Sequence, residues 1–296
     1  MSSRLLALAL VGFAPLLSSC AADRSTRPET TSRPTLPSGF NAIVYGFIDE
    51  TDTYRNVGAF IVQRASDGHI FPICSGTLIA PTVFLTAAHC TVFFENELAP
   101  RGFTASVSFS SPIGFGDLTD LRKARLIAVT AIFTNPNFNQ GQDDPGDIAV
   151  LILPERSTRG TTPATLPTIG LLDQLAAQDA LPDAVFTAVG YGLQNRVVGG
   201  GVPFFQDLNP IPRMFAFSSF SALNPGFLRL SQNPATGDGG TCFGDSGGPN
   251  FLDVGGTQVL AASTVTGDAV CRSTNVVYRL DIASAREFLG QFVTLP

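Results

Sequence analysis

The residues best suited to chemistry lie in segment 244–249, whose sequence is GDSGGP. A serine flanked by glycines can occupy a tight turn, where backbone N–H groups converge and hold a developing negative charge. A plain surface turn is the competing interpretation, because Gly, Asp, Ser and Pro all favour turns. A serine hydroxyl is a weak nucleophile alone, so catalysis at Ser246 also requires a histidine base and an orienting carboxylate.

The chain contains only two histidines, which makes the search for the base short. His89 is preceded by LTAA and followed by cysteine, and Asp147 opens the apolar segment DIAVL. His69 follows the residues SDG, a composition typical of a hairpin turn. The candidate catalytic residues are therefore His89, Asp147 and Ser246, in the chain order His, Asp, Ser.

This order excludes two other arrangements of the same three residue types. Segment 244–248 also matches Gly-x-Ser-x-Gly, the nucleophile elbow of α/β-hydrolases, but that fold places its histidine after the serine. The order Asp, His, Ser would require Asp49, Asp52 or Asp67, and none of these has a recognisable sequence context. Of the three chain orders considered, only His, Asp, Ser fits these residues.

The three segments, taken in this order, resemble the motifs of the chymotrypsin-like (trypsin-fold) serine proteases. The resemblance covers residues 43–296. It implies an all-β fold of two six-stranded antiparallel barrels, with the active site between them and a C-terminal helix. It also implies a serine endopeptidase in which Ser246 is the nucleophile, His89 the general base and Asp147 its orienting carboxylate. The N–H groups of Gly244 and Ser246 would form the oxyanion hole.

Composition and pattern agree with a protease domain of this kind. The 296 residues are 44% hydrophobic and 14% charged, which allows a substantial core, and short apolar runs separated by Gly and Pro indicate strands. We expect one barrel within about 43–165, another within about 180–280, and a helix at about 282–292 with Asp281 as its N-cap. The net charge of −6 argues against a nucleic-acid partner. We expect a monomer that acts on proteins or peptides without a metal or organic cofactor.

Five cysteines leave at least one without an intramolecular partner. The resemblance implies a disulfide between Cys74 and Cys90 beside the histidine, and another between Cys242 and Cys271 beside the nucleophile segment. Free buried thiols are the alternative. Cys20 is then the cysteine left over.

The N-terminal residues predict export. Residues 1–19 combine Arg4 near the start, a short apolar run and small residues, as a signal peptide does. The following LSSC also resembles the bacterial lipobox, which would place a lipid on Cys20; plain signal cleavage nearby is the alternative. Residues 20–42 are rich in Thr, Pro, Arg and Ser, which indicates a disordered tether or pro-segment. We expect a cell-envelope lipoprotein, or a protein secreted after processing.

Segment 43–46, IVYG, resembles the IVGG start of mature family members. In those proteins, cleavage frees an isoleucine amine that pairs with the aspartate before the catalytic serine, which corresponds here to Ile43 and Asp245. Because a tyrosine replaces the first glycine, an ordinary first strand is the alternative. We expect cleavage after Ala42 to activate the enzyme and to release it from the tether.

The base of the specificity pocket is expected to be uncharged. Trypsin-type members carry an aspartate six residues before the catalytic serine, and this chain has Gly240 there, followed by Thr241. A buried Arg or Lys side chain of the substrate would therefore lack a partner. We expect a preference for uncharged residues.

The walls of that pocket are harder to align, because the chain has two extra residues between Ser263 and Cys271 compared with the family, and it has no tryptophan. The resemblance suggests Ser263 as the substrate-binding serine, followed by Thr264 in place of a tryptophan. Val265 and Val276 would then stand where other members have glycines, and two facing valines would favour Ala, Val or another small aliphatic side chain. If one valine instead points into the core, the pocket takes larger apolar residues.

Two other functions are compatible with the same motifs. One is a cell-surface binding or scaffold protein with a dormant protease domain, and the other is an exported esterase on the same fold. A serine-directed phosphonate reacts with an intact site and not with a dormant one. A comparison of amide with ester hydrolysis separates the protease from the esterase.

Overall fold

The structure is a computed structural model. It describes residues 43–114, 124–138, 143–197, 204–206 and 209–296. The predicted signal peptide, the predicted tether, Cys20 and Ala42 lie outside the described residues.

The described part of the chain consists mainly of strands, with three short α-helices. The strands are β1 (Phe47–Ile48), β2 (Val57–Arg64), β3 (Ile70–Ala80), β4 (Val83–Thr86), β5 (Phe103–Ser108), β6 (Ile127–Ala128), β7 (Ala131–Thr134), β8 (Ala149–Ile152), β9 (Val185–Gly190), β10 (Gln194–Val197), β11 (Phe204–Gln206), β12 (Met214–Leu223), β13 (Phe227–Ser231), β14 (Pro249–Val254), β15 (Thr257–Gly267) and β16 (Thr274–Arg279). The helices are α1 (Ala88–Phe93), α2 (Leu171–Ala177) and α3 (Ala283–Leu289).

The first half is a curled antiparallel sheet in the order β6-β5-β2-β3-β4-β8-β7. The strand β2 lies near its centre and is buried on both faces. Phe60 and Val62 pack in one apolar cluster, while Ala59 and Ile61 pack in another that includes Tyr191 of the second half. Burial on both faces explains why β2 reads as a continuous apolar run instead of an alternating one.

The second half is a closed barrel of six strands, in the order β9-β12-β13-β16-β15-β14, with β14 returning to β9. The all-β fold expected from the sequence is confirmed, as a closed six-stranded barrel, a curled half-barrel sheet and a C-terminal helix. The first strand, β1, pairs with Met214 and Phe215 of β12 and so joins the second half. β1 can pair there because β13 pairs only with the later residues of β12. The backbone of the first residues of β12 is therefore available to β1 on that side.

The C-terminal helix differs from the expectation in its cap. The helix α3 buries Ala285, Phe288 and Leu289, as the apolar spacing predicted. Its N-cap is Ile282, so the N-cap role predicted for Asp281 is wrong. The Asp281 carboxylate is engaged elsewhere, because it pairs with buried Arg279 at 2.9 Å and accepts the N–H of a residue in the first turn of α2 at 2.8 Å.

Both expected disulfides are present in the structure. Cys74 and Cys90 join β3 to α1 across a Cα–Cα distance of 6.4 Å. Cys242 and Cys271 join the nucleophile segment to the segment before β16 across 5.3 Å. None of the described helices has the length and apolar character needed to cross a bilayer.

Candidate active site

Strand pairing brings His89 and Asp147 together. The last residue of β4, Thr86, lies opposite Ala149 of β8, so the residues flanking these two strand ends meet. The ring Nδ1 of His89 lies 2.8 Å from Asp147 Oδ2, and the backbone N–H of His89 donates to Asp147 Oδ1 at 2.9 Å. Asp147 is 2% exposed, so its carboxylate is shielded from solvent and its two oxygens bond to His89.

The approach to Asp147 depends on a glycine. Gly146 has a φ of +61°, a conformation that glycine adopts without steric cost. A Cβ at this position would also lie 2.9 Å from Asn135 Nδ2, which donates to the carbonyl of Gly146 at 3.0 Å. The sequence PGD therefore turns the chain so that Asp147 enters the protein beneath the histidine.

Ser246 lies in the turn before β14. Gly247 has a φ of +80°, and a Cβ there would lie 2.3 Å from Thr86 Oγ1 and 2.6 Å from the Ala87 nitrogen. Only a glycine lets the turn approach the end of β4 this closely. Ser246 and His89 consequently line one cavity of about 260 Å³.

The backbone around Ser246 presents two free N–H groups. Within the described residues, neither the N–H of Gly244 nor that of Ser246 has a hydrogen-bond partner. Gly244 has a φ of +96°, and the carbonyl of Phe243 accepts the Leu193 N–H at 2.7 Å. Two such donors on one turn can bind a developing oxyanion.

Thr241 gives the Ser246 cavity a polar, uncharged patch. Thr241 lines the cavity, and its hydroxyl donates to Asn275 Oδ1 at 2.8 Å. Gly240 is buried and does not line this cavity, and a Cβ on it would lie 2.2 Å from Gln232 Oε1. The side chain of Gln232 therefore fills the space that a longer residue at position 240 would need.

The walls of this cavity differ from those expected from the sequence. Val265 lines both the Ser246 cavity and a neighbouring cavity of about 630 Å³, whereas Val276 lines only the neighbouring cavity. Ser263 lines neither cavity, and its hydroxyl is buried without a partner among the described residues.

The cause of this difference is an irregularity in strand pairing. The register between β15 and β16 shifts at Val265, so Thr266 lies opposite Val276 and Gly267 opposite Asn275. Thr264 stays at the cavity, where its hydroxyl accepts from Asn250 at 3.0 Å. Counting residues along the strand could not reveal this shift.

One carboxylate that no sequence motif marks, that of Asp268, also lines the cavity. Asp268 follows β15, and its oxygens accept the backbone N–H groups of Arg272, Ser273 and Thr274. These bonds lower the pKa of Asp268, although partial burial opposes them. The loop that carries Asp268 thus stabilises its negative charge through hydrogen bonds.

Asp245 is a buried carboxylate directly before the nucleophile. It accepts the N–H groups of Gly192 at 2.8 Å and Cys242 at 2.9 Å, and it has no cationic partner in the described part of the chain. Burial raises its pKa to about 7, with the two N–H groups acting in the opposite direction. Ile43 is also fully buried, and Val44 forms a bridge with Gly240.

One group of potential metal ligands occurs among the described residues. It comprises Cys74, His89 and Cys90, whose ligand atoms lie within 4.8 Å of one another. The disulfide occupies both sulfurs, so only the imidazole could bind an ion. The donor set does not fit a metal site.

Comparison with known proteins agrees with this fold and cleft. The family model described as Trypsin matches residues 48–285. Similar proteins include the vitellin-degrading protease of Bombyx mori, 30% identical over 60% of this chain and 61% of the relative, and a trypsin of Phaedon cochleariae, 29% identical over 61% and 64%. Brachyurin of Leptuca pugilator is 29% identical over 70% of this chain and 84% of its own length.

The family match spans most of the chain. The chain therefore belongs to the trypsin family, and relatives with this domain are named as proteases. The matched region spans a little over three fifths of the length of the first two relatives. These relatives come from insects and the third from a crustacean, so they do not support a bacterial lipoprotein origin.

Proposed function

We propose that this protein is a serine endopeptidase with the triad His89, Asp147 and Ser246. The observation that carries the proposal is the pairing of His89 with buried Asp147 at the edge of the cavity that Ser246 also lines. Asp147 accepts from Nδ1, so Nε2 of His89 is the nitrogen available as a base. Ser246 Oγ attacks the peptide carbonyl carbon while His89 Nε2 takes the hydroxyl proton.

The remaining steps use the same groups. His89 returns the proton to the leaving amine and later activates a water molecule that hydrolyses the acyl-enzyme. Asp147 stabilises the imidazolium without taking its proton. The N–H groups of Gly244 and Ser246 hold the oxyanion in both steps, and each donor contributes about 3 kcal/mol to transition-state stabilisation.

The cavity at Ser246 favours an uncharged side chain before the scissile bond. Thr241 lines it with a hydroxyl that donates to Asn275 Oδ1, so this part of the cavity is polar without carrying a charge. The carboxylate of Asp268 is engaged by backbone N–H groups. Val265 narrows the cavity on one side, which supports a preference for small aliphatic residues such as alanine and valine.

Digestion of a peptide library tests both the reaction and the preference. We expect amide cleavage after small uncharged residues, because Thr241 offers no charge to a buried lysine or arginine side chain and the Asp268 carboxylate is already bonded to backbone N–H groups of its own loop. The products are identified by mass spectrometry, with Asp268→Asn as a matched variant. Dominant cleavage after Arg or Lys that disappears in this variant would contradict the uncharged pocket.

The same digestion separates the competing functions. An esterase on this fold would hydrolyse esters and leave the peptide library intact. A binding protein with a dormant domain would hydrolyse neither substrate. Amide turnover thus distinguishes the endopeptidase from both alternatives.

We also propose activation by cleavage after Ala42. The burial of Ile43, together with the bridge between Val44 and Gly240, supports a docked position for the new terminus. The new ammonium group of Ile43 would supply the cation that Asp245 lacks. Pairing would raise the pKa of this amine above its usual value of about 8, so the ion pair would persist at neutral pH.

The uncleaved chain should lose stability as the pH rises. The pKa of Asp245 is about 7 in the folded state against 3.8 for a free side chain, so the folded state binds this proton more tightly. Its contribution to the free energy of unfolding is complete below about pH 4 and disappears as the pH passes about 7. The expected loss is on the order of 4 kcal/mol.

Denaturant unfolding at a series of pH values measures this loss. Asp245→Asn in the uncleaved chain is the control, and the difference between the two chains isolates the carboxylate from other titrating groups. Chain cleaved before Ile43 should not lose this stability between pH 4 and 7, because the ammonium keeps Asp245 ionised. Identical pH profiles for wild type and Asp245→Asn would contradict the assignment.

The N-terminal assignments remain predictions. The signal peptide at residues 1–19, the tether or pro-segment at residues 20–42 and a lipid on Cys20 lie outside the described residues. Export agrees with the two disulfides, which form in oxidising compartments. A monomeric state likewise remains a prediction.

A further inference from the structure

The side chain of Ser75 lies between the two halves of the protein and touches the proposed oxyanion hole. Ser75 belongs to β3 and is fully buried. Its hydroxyl donates to the carbonyl of Gly244 at 3.0 Å and accepts the N–H of Tyr191 at 3.0 Å. Its backbone N–H donates to the carbonyl of Ser246 at 2.9 Å. One residue of the first half thus holds the carbonyls on both sides of Asp245.

The surrounding backbone leaves room for this hydroxyl and for little else. A Cβ on Gly190 would lie 3.0 Å from Ser75 Oγ, and a Cβ on Gly248 would lie 3.2 Å from Ser75 Cβ. The carbonyl of Ser75 is held in turn, because it accepts the hydroxyl of Thr86 at 2.8 Å. The Ser75 side chain is therefore fixed by packing as well as by hydrogen bonds.

These contacts determine the conformation of Gly244. A glycine with a φ of +96° has few steric limits on rotation about its own Cα. The peptide before Gly244 is held by the bond from Leu193 N–H to the Phe243 carbonyl at 2.7 Å. The peptide after it is held by the Ser75 hydroxyl. With both peptides held, the N–H of Gly244 keeps one direction.

We propose that Ser75 is a positioning residue that orients the Gly244 N–H of the oxyanion hole through its hydroxyl. The inference rests on the proposed endopeptidase function. The role of Ser75 is to preorganise a donor that acts when negative charge develops on the substrate oxygen, so it affects the transition state more than the bound substrate. The sequence analysis did not find Ser75, because no local motif marks a contact made 169 residues away.

The test compares Ser75→Ala with wild type on a peptide amide that wild type cleaves. We expect kcat to fall by about 10- to 100-fold with little change in KM, because a donor is misdirected but not removed. Ser218→Ala is the matched control, since it removes another buried serine hydroxyl that donates to a backbone carbonyl, that of Gly239. Its kcat should stay within about twofold of wild type.

Thermal unfolding of both variants separates folding from catalysis. Ser75→Cys keeps the side-chain volume with a weaker donor, and it serves as a second variant if Ser75→Ala does not fold; we expect an intermediate kcat for it. A folded Ser75→Ala enzyme with the kcat of Ser218→Ala, or a loss confined to KM, would overturn the proposal. A wild-type protein that cleaves no peptide would instead refute the proposed function.

Discussion

Ser246→Ala is expected to lower kcat for peptide hydrolysis by about a million-fold. The substitution removes the hydroxyl of the proposed nucleophile, while the proposed oxyanion donors and the cavity remain. Ser246 is only partly buried, so the loss of its hydroxyl should leave the melting temperature within a few degrees of wild type. The measurement is steady-state hydrolysis of a peptide amide together with labelling by a fluorophosphonate probe.

The matched control for this variant is Ser157→Ala. The Ser157 hydroxyl is buried without a partner in the described part of the chain and lines neither cavity at the cleft. The Ser157→Ala variant should keep wild-type turnover and react stoichiometrically with the fluorophosphonate probe. Residual labelling or substantial turnover in Ser246→Ala would show that another residue is the nucleophile. A wild-type protein that does not label would identify a dormant domain.

Asp147→Asn is expected to lower kcat by about ten-thousand-fold near neutral pH. In the wild type, the two carboxylate oxygens accept two N–H groups of His89, one from the backbone and one from the ring. An amide has one oxygen, so its NH2 group must face one of these positions. When it faces the ring, Nδ1 becomes the acceptor and the proton moves to Nε2, which can then no longer take the proton of Ser246.

Asp253→Asn provides the matched control for the carboxylate. Asp253 accepts the N–H of Gly256 at 2.9 Å in the turn between β14 and β15 and lines neither cavity. We expect Asp253→Asn to keep full activity. We also expect Asp253→Asn and Asp147→Asn to change the melting temperature by similar amounts. Less than a tenfold loss of kcat in a folded Asp147→Asn enzyme would contradict the role of Asp147 in setting the tautomer.

The catalytic candidates were accessible to sequence reasoning because their requirements are local. Gly146 and Gly247 adopt positive φ and approach neighbouring groups too closely for any side chain. These steric requirements restrict the residue types at such positions, so the segments around Asp147 and Ser246 can be recognised in the sequence. The disulfide pairings were accessible only through the family resemblance, in which one pair brackets the histidine and the other the nucleophile segment.

The substrate cavity was less accessible, because its lining depends on the pairing of distant strands. The sequence indicated Val265 and Val276 as opposite walls of the specificity pocket. The register shifts at Val265, and Val276 lines only the neighbouring cavity, which Val265 lines as well. The same shift places Asn275 beside Thr241. A one-residue change of register exchanges the two faces of a strand, and no local pattern predicts it.

The partners of charged residues in the core also depend on contacts between distant parts of the chain. Asp281 precedes an apolar helical stripe and so reads as an N-cap, yet buried Arg279 binds its carboxylate. Buried Arg213 likewise joins Asp49 of the N-terminal segment to the hydroxyl of Tyr191 in the second half. A buried guanidinium requires partners wherever the fold brings them, and this requirement overrides local capping preferences.

The sequence by itself determined the family, the all-β class and the candidate catalytic residues, because these depend on short segments with strict backbone demands. Only the tertiary structure decided which half binds β1, which residues line the cavity and how Ser75 contacts Gly244. Those features arise where strands from distant parts of the chain pair and pack, and their geometry depends on register and burial across the whole fold.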